Sequence, residues 1–411
     1  MNAPAPRVFD KIESIRKQVI EAAALPLNRA TTLPRQAYVD EDYFQFETET
    51  IFRTGWLCVA HISQLKEPGN FLTLDLLGEP LLILRDKDGD IRVLSRVCAH
   101  RAMDIMPEGF GFPRSGKAAL LSCPYHRWTY NLDGSLRGCA QMQGAEGFDR
   151  RDWRLFEFNS AIWHGFLFVN LDGQAPPLSQ HFADFGNRIA PWHTKEMEIA
   201  IAMEWECDFN WKVMVENWME SYHHLGAHSA TLNPMMPGER TWTETEHPHY
   251  VRSHLPFADA YKRQLEANEA SGTRTGFIPT PGLSESQKSE WGLYLGYPDF
   301  MFLTAPDRVL WYRLLPLSAG RCKLLTTTLV ARENFGLAGF PAILESETKL
   351  LRDFHLEDMM VNTAVQRGLN SSKAARGRLS HLEEPVWLIQ RYVAARAEGR
   401  YPGMDAVPAS A

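Results

Sequence analysis

Near the N-terminus Val8, Ile12, Ile15, Val19 and Ile20 recur at helical steps while Asp10, Lys11 and Arg16 point elsewhere, so an amphipathic helix is predicted over residues 8–24. A Pro-bearing connector follows at 25–34. From about Phe46 to Asp172 the period shortens to short apolar runs, such as 71–77, 81–85 and 165–171, separated by turn residues. That pattern predicts strands, with a hairpin turn at Asp86-Lys-Asp-Gly89-Asp90. Residues 173–177, Gly-Gln-Ala-Pro-Pro, break the pattern and read as a linker. Beyond them, alternation in 309–315 and 321–330 predicts antiparallel sheet flanked by helices, and 266–290, rich in Gly, Ser, Thr, Pro and charge, reads as a long loop or lid.

Two helical segments carry the polar residues of interest. Trp211, Val215, Trp218 and Tyr222 mark a buried stripe on a helix that should run to about His223. A second helix is predicted over 341–366, starting at a Pro and stopping before Gly368, with Leu344, Leu351, Phe354, Val361 and Val365 on one side. Asp358 falls on that apolar stripe. A carboxylate there is costly unless paired or metal-bound. Its neighbour Glu357 continues the row Glu345, Lys349, Asp353, which reads as a charged face in solvent.

A chain of 411 residues, 45% of them hydrophobic, has room for two or three domains. Its net charge of −7, without charge runs, argues against nucleic acid as a partner. Cys58, Cys139, Cys207 and Cys322 form no disulfide framework, which suits a reducing compartment. There is no apolar run long enough for a membrane span and no signal-peptide pattern in residues 1–6, so the cytoplasm is expected. No Gly-x-Gly-x-x-Gly follows a strand, so nicotinamide or flavin chemistry would have to come from a separate protein.

Metal chemistry is concentrated in two places. Cys98-x-His100 and Cys123-x-x-His126 offer two thiolates and two imidazoles. Two thiolates can take one iron of a [2Fe-2S] cluster and two neutral imidazoles the other, which raises the potential above that of an all-cysteine cluster. Structural zinc more often draws on separate Cys-Cys and His-His pairs, whereas each half here mixes the two. In the second place Glu220, His223 and His228 lie close in sequence, with Gly226 free to loosen the turn between the imidazoles. With Asp358 the two histidines would make the facial triad that leaves positions open on ferrous iron. Lone histidines such as His181, His224 and His355 are expected as core or surface residues. Asn217 is left open between a place near the metal and a helix-interior role. Trp242, Trp291, Tyr294, Tyr297, Phe300, Phe302, Trp311 and Tyr312 are expected chiefly as packing, and Arg313 either to grip a carboxylate or to face solvent.

Cys98-Ala-His100-Arg101 and Cys123-Pro-Tyr-His126-Arg-Trp128-Thr-Tyr-Asn-Leu-Asp-Gly134 resemble the two cluster loops of Rieske non-heme iron oxygenases, with Pro124 at the tip and a turn at 131–134. The second region resembles the same family's acid-x-x-His-x₄-His pattern, followed far downstream by an Asp shortly before Gln-x-Gly, here Gln366-Arg-Gly368. The resemblance covers about residues 40–395. It implies that Cys98 and Cys123 bind one cluster iron and His100 and His126 the outer one, and that His223, His228 and Asp358 hold a mononuclear Fe(II). Glu220 would be the bridging acid between His126 of the partner subunit and His223. Many members have Asp there; a Glu is similar to members that oxidise carnitine or betaine.

The implied fold is α+β, a small all-β Rieske domain plus a helix-grip (START-like) catalytic domain with antiparallel sheet and flanking helices. The expected organisation is a helical arm at 1–44, the Rieske domain at 45–172, the mononuclear iron domain at 173–400 and a tail at 401–411. The implied activity is that of a terminal oxygenase subunit, which hydroxylates or oxidatively demethylates a small aromatic or alkylammonium substrate using O₂. An NAD(P)H-dependent reductase, with or without a ferredoxin, would supply electrons to a homotrimer. The rival reading is a non-catalytic Rieske electron carrier or helix-grip ligand-binding protein. A stand-alone carrier would not need residues 180–400, and a pure binder would not need Asp358 on an apolar stripe.

Overall fold

From Leu57 to Asn170 the expected pattern is realised, in a computed structural model, as short antiparallel strands in three small sheets, whereas residues 46–52 at its start are helical and bury Ile51 and Phe52. The structure describes residues 6–182, 184–245, 247–272 and 276–402, so most of the expected C-terminal tail lies outside the described residues. The chain divides into two compact units, residues 56–175 and residues 1–55 with 176–411.

In the smaller unit a four-stranded sheet runs in the order Ile91–Ser95, Glu79–Arg85, Asn70–Leu76, Ser115–Lys117. The 86–90 segment is the hairpin turn expected of it. The Asp86 carboxylate accepts the backbone N–H of Asp88 and Asp90, both at 2.9 Å, and Gly89 takes the positive φ that the turn requires. A second sheet joins Leu57–His61, Phe166–Asn170 and Asn159–Trp163, and a third joins Leu121–Ser122, Thr129–Tyr130 and Leu136–Gly138. Leu82, Leu84, Leu94, Leu121, Trp128, Tyr130 and Leu155 form one buried cluster, and Cys98 and Cys123 belong to it. Each buried leucine contributes about 1.5–3 kcal/mol, so the cysteine loops rest on a firm floor.

The larger unit is built on a seven-stranded antiparallel sheet: Met197–Cys207, Arg321–Ala331, Arg308–Ser318, Phe300–Ala305, Glu290–Gly296, Tyr250–Pro256 and Trp242–Glu244, in that spatial order. Side chains alternate between faces. Leu293, Leu303 and Leu310 pair across three adjacent strands as one apolar row. On the other face Tyr294, Phe300 and Phe302 pack against Phe182 and Phe185. With this sheet, its flanking helices and the all-β unit, the α+β architecture expected from the sequence is borne out. No helix among the described residues is long and apolar enough to cross a membrane.

Three local expectations need correction. The helix at 211 runs only Trp211–Met219, and Tyr222, placed on its buried stripe, is 44% exposed. The helix ends because Glu220 turns extended, at φ −101° and ψ 144°, and its carboxylate takes the His223 N–H, starting a fresh 3₁₀ turn over Tyr222–Leu225. The 266–290 segment is not loop throughout, since the helix Asp259–Ala270 enters it and a short one, Glu285–Lys288, nearly completes it; residues 273–275 lie outside the described ones. The long helix is Phe340–Leu369, and its apolar face is rotated from the expected stripe: Leu351, Phe354 and Asp358 are buried, whereas Val365 is 46% exposed.

The site-bearing helix Trp211–Met219 is anchored from the N-terminal segment. Asn210 caps it, its side chain accepting the Lys212 N–H. Glu47 accepts from Lys212 Nζ at 2.6 Å and from the Trp211 indole at 3.0 Å, and all three are buried. Burial pushes the Glu47 carboxyl up and the Lys212 ammonium down, and their mutual attraction offsets only part of that. Removing either alone would strand a buried charge, at a cost of about 3–5 kcal/mol. The Tyr38 hydroxyl donates to Glu216 at 2.7 Å, and burial raises that carboxyl to about 7.

Candidate functional site

The two cysteine loops share one backbone design. In the first, Cys98 N–H donates to the Met103 carbonyl and Ala102 N–H to the Cys98 carbonyl; in the second, Cys123 N–H donates to Trp128 and Arg127 N–H to Cys123. Each loop turns back through a non-glycine residue at positive φ, Ala102 at 55° and Arg127 at 59°. Such conformations persist where surrounding bonds over-determine them. Both thiols are thereby buried at the floor of the loops and both imidazoles brought together, with ring centroids 4.7 Å apart. His100 stacks on Trp128 at 4.8 Å, which holds its ring plane.

The polar surroundings fit a metal–sulfur group. The Tyr130 hydroxyl lies 3.0 Å from the Cys98 sulfur, and backbone N–H groups of Tyr125 and His126 are directed at the Cys123 sulfur. His126 Nδ1 is buried and has no hydrogen-bond partner among the described residues. A buried nitrogen left over amid two thiols and a second imidazole is what a ligating group would satisfy.

In the larger unit His223, His228 and Asp358 offer ligand atoms that all lie within 4.8 Å of one another. The Asp358 carboxylate lies 3.0 Å from His228 Nε2 and 3.6 Å from His223 Nε2. Each imidazole's other nitrogen is already engaged: His223 Nδ1 meets Glu220 at 2.7 Å, and His228 Nδ1 meets Glu357 at 2.7 Å. Carboxylates behind both rings fix their orientation and leave the two Nε2 atoms converging, the arrangement that metal-binding histidines adopt. Burial alone would push the Asp358 carboxyl up, but the hydrogen bond from His228 and the neighbouring imidazoles hold it below the usual range.

Glu357 is therefore not on a solvent face. The His228 ring is wide enough to meet two successive acids of one helix, Asp358 at one edge and Glu357 at the other. Glu357 is further held by the Thr231 hydroxyl at 2.6 Å. The signal in the sequence was the pairing of adjacent acids, only one of which suited the apolar stripe.

The triad borders a cavity that includes Asn217, Trp218, Leu293, Leu303, Leu310 and Tyr312 in its wall. Of the eight aromatic residues expected chiefly as packing, Trp291 and Tyr312 line it. Asn217 accepts from the Asn362 side chain at 3.2 Å. Arg313 is half-buried and absent from the lining, since it alternates away from Tyr312 along the strand. His224 lines the cavity but bonds the Met236 carbonyl, and His181 bonds that of Tyr297. A larger cleft of about 680 Å³ lies elsewhere in this unit, between the N-terminal helix and Glu384–Ala397, and contains no member of the triad.

A Rieske-type loop pair in one unit and a two-histidine, one-carboxylate cavity in the other define a class, and comparison with known proteins agrees. Residues 55–149 match the Rieske [2Fe-2S] domain and residues 191–399 the ring hydroxylating alpha subunit (catalytic domain); the chain belongs to that family. It is 36% identical over 202 residues to the carnitine monooxygenase oxygenase subunit of Acinetobacter baumannii, covering 48% of this chain and 53% of that protein. The match thus spans about half the length of that relative. The glycine betaine monooxygenase oxygenase subunit of Chromohalobacter salexigens is 26% identical over 386 residues, covering 86% and 82%. The solved structure of a quaternary ammonium Rieske monooxygenase superposes with a TM-score of 0.77 at 26% identity, covering 92% of this chain and 98% of that one.

Proposed function

We propose that this chain is the terminal oxygenase of a Rieske non-heme iron system, and that it oxidises a quaternary ammonium compound. The observation that carries the reading is the convergence of two Nε2 atoms and the Asp358 carboxylate on the wall of an apolar, aromatic cavity, with Glu220 and Glu357 behind the rings. In this reading Cys98, Cys123, His100 and His126 hold the [2Fe-2S] cluster, and His223, His228 and Asp358 hold Fe(II). Bound there, the two groups supply O₂ activation and relay of the electrons it consumes. The overall change places one oxygen atom on a carbon of the substrate and releases the other as water, consuming two electrons and two protons.

The protein's part is positioning. Glu220 and Glu357 set the ring planes of His223 and His228, and the row of Leu293, Leu303 and Leu310 excludes water from the cavity floor. Trp218, Trp291 and Tyr312 supply aromatic surface for an alkylammonium head, an attraction of about 0.5–2 kcal/mol per ring. Glu220 in place of the commoner Asp and the quaternary ammonium activities named for the relatives support the same substrate class. Electrons come from a separate NAD(P)H-dependent reductase, directly or through a ferredoxin. The working form is a cytoplasmic homotrimer, in which Glu220 joins His126 of the partner subunit to His223.

The test is a single turnover of chemically reduced protein with ¹⁸O₂ and a panel of quaternary amines, methyl ethers and aromatic acids, read by mass spectrometry and a formaldehyde assay. One labelled oxygen or an aldehyde from a quaternary amine is expected. Two labelled oxygens on a ring would replace the substrate reading with ring dihydroxylation, and absence of O₂ uptake by iron-replete protein would end the oxygenase reading.

A further inference from the structure

Tyr312 and His355 line the same cavity as the triad, yet neither belongs to it. Tyr312 comes from the Arg308–Ser318 strand and His355 from the turn of the Phe340–Leu369 helix before Asp358; they are 0% and 1% exposed. His355 Nε2 and the Tyr312 hydroxyl share a short hydrogen bond, while His355 Nδ1 is buried with no partner among the described residues. Desolvation holds the imidazole down to about 4, so it is neutral and carries one N–H. Were Tyr312 the donor, that hydrogen would sit on Nδ1, stranded beside Phe354 and Trp205. An orphaned buried N–H is rare and costs about 1–3 kcal/mol. The other tautomer puts the hydrogen on Nε2, donating to the phenol oxygen, and leaves only a lone pair unmet at Nδ1. The Tyr312 hydroxyl hydrogen is then free, and among the described residues no other protein acceptor is bonded to it.

The geometry points to Tyr312 as the group that reads an acceptor oxygen on the substrate, with His355 as the positioning residue that turns the phenolic hydrogen into the cavity. This rests on the cavity being the substrate site, as proposed above. Trp218 also packs against the Tyr312 ring, centroids 4.3 Å apart, so the hydroxyl has a defined station. The specificity it confers is for a molecule with a hydroxyl, carbonyl or carboxylate oxygen at a distance from the oxidised carbon.

Two matched pairs of ligands test it on the iron-loaded enzyme by calorimetry: choline with propyltrimethylammonium, and benzyl alcohol with ethylbenzene. Tyr312→Phe should weaken binding of the oxygen-bearing member about tenfold, the worth of one hydrogen bond, and leave its partner unchanged. His355→Leu should cause the same selective loss and His355→Gln, whose amide can donate to the phenol, should recover most of it. Equal loss for both members of a pair, or for neither, overturns the assignment, as does failure of both pairs to bind the wild-type protein. Binding by the benzyl pair alone would overturn the quaternary ammonium reading while still testing Tyr312.

Discussion

The two candidate metal sites are put together in opposite ways. Cys98, His100, Cys123 and His126 sit in two loops that close through their own backbone hydrogen bonds, with the same donor and acceptor offsets in each. The triad is assembled at long range: His223 and His228 come from turns after a helix, and Asp358 from another helix more than a hundred residues on, which packs against the first after the intervening strands have formed the sheet. The first site is a property of a loop pair. The second is a property of a fold. They should therefore fail separately, and the strongest way to break the comparison is to remove one ligand from each. Asp358→Ala should abolish bound mononuclear iron and turnover while the visible absorption of the cluster survives. Cys123→Ser should bleach the cluster and leave Fe(II) binding at the triad intact. Iron analysis with absorption spectra checks both, and loss of both centres in either variant would show that the sites depend on one another.

A smaller effect separates ligand from support. Glu357→Gln keeps an acceptor on His228 Nδ1 but removes the charge, and replacement of such a group typically costs 10–100-fold in metal affinity or activity. Asp353→Asn, in the same helix row but paired with Lys349 in solvent, should leave Fe(II) affinity unchanged. Equal responses from the two would return Glu357 to the role of a surface charge.

That contrast also marks where the sequence stopped being legible. The strands, the 86–90 turn and the cluster loops are written in local spacing, and they appear where expected. Asp358 stood out because it interrupts an apolar stripe. The true buried face of its helix, however, also carries Glu347, His355, Asn362 and Gln366. Each has a distant partner that repays its burial: Arg308, Tyr312, Asn217 and the Asn210 N–H. Apolar periodicity cannot register a polar residue whose partner lies elsewhere in the chain, so it points to a rotated face and sets Glu357 in solvent. The end of the Trp211–Met219 helix was hidden for a related reason. Glu220 favours helix by propensity, but here its side chain competes for the His223 N–H and also holds the ring.

The smallest expected effect asks whether the cluster loops, too, use side-chain support. Tyr130 is buried, with its hydroxyl 3.0 Å from the Cys98 sulfur and also accepting the Ala99 N–H at 3.1 Å. A donor to a ligating sulfur favours the reduced, more negative state, so its removal should lower the reduction potential. Tyr130→Phe keeps the ring in its apolar cluster and deletes the hydroxyl's contacts with the Cys98 sulfur and the Ala99 N–H. A differential hydrogen bond of about 1.4 kcal/mol corresponds to ~60 mV in a one-electron couple, which sets the scale of the shift. The cluster should form normally, since its four ligands and both loop closures are untouched. Protein-film voltammetry reads the shift directly. A potential that does not move would mean that the backbone N–H groups of Tyr125 and His126 set the sulfur environment alone, making this site still more purely a product of its loops.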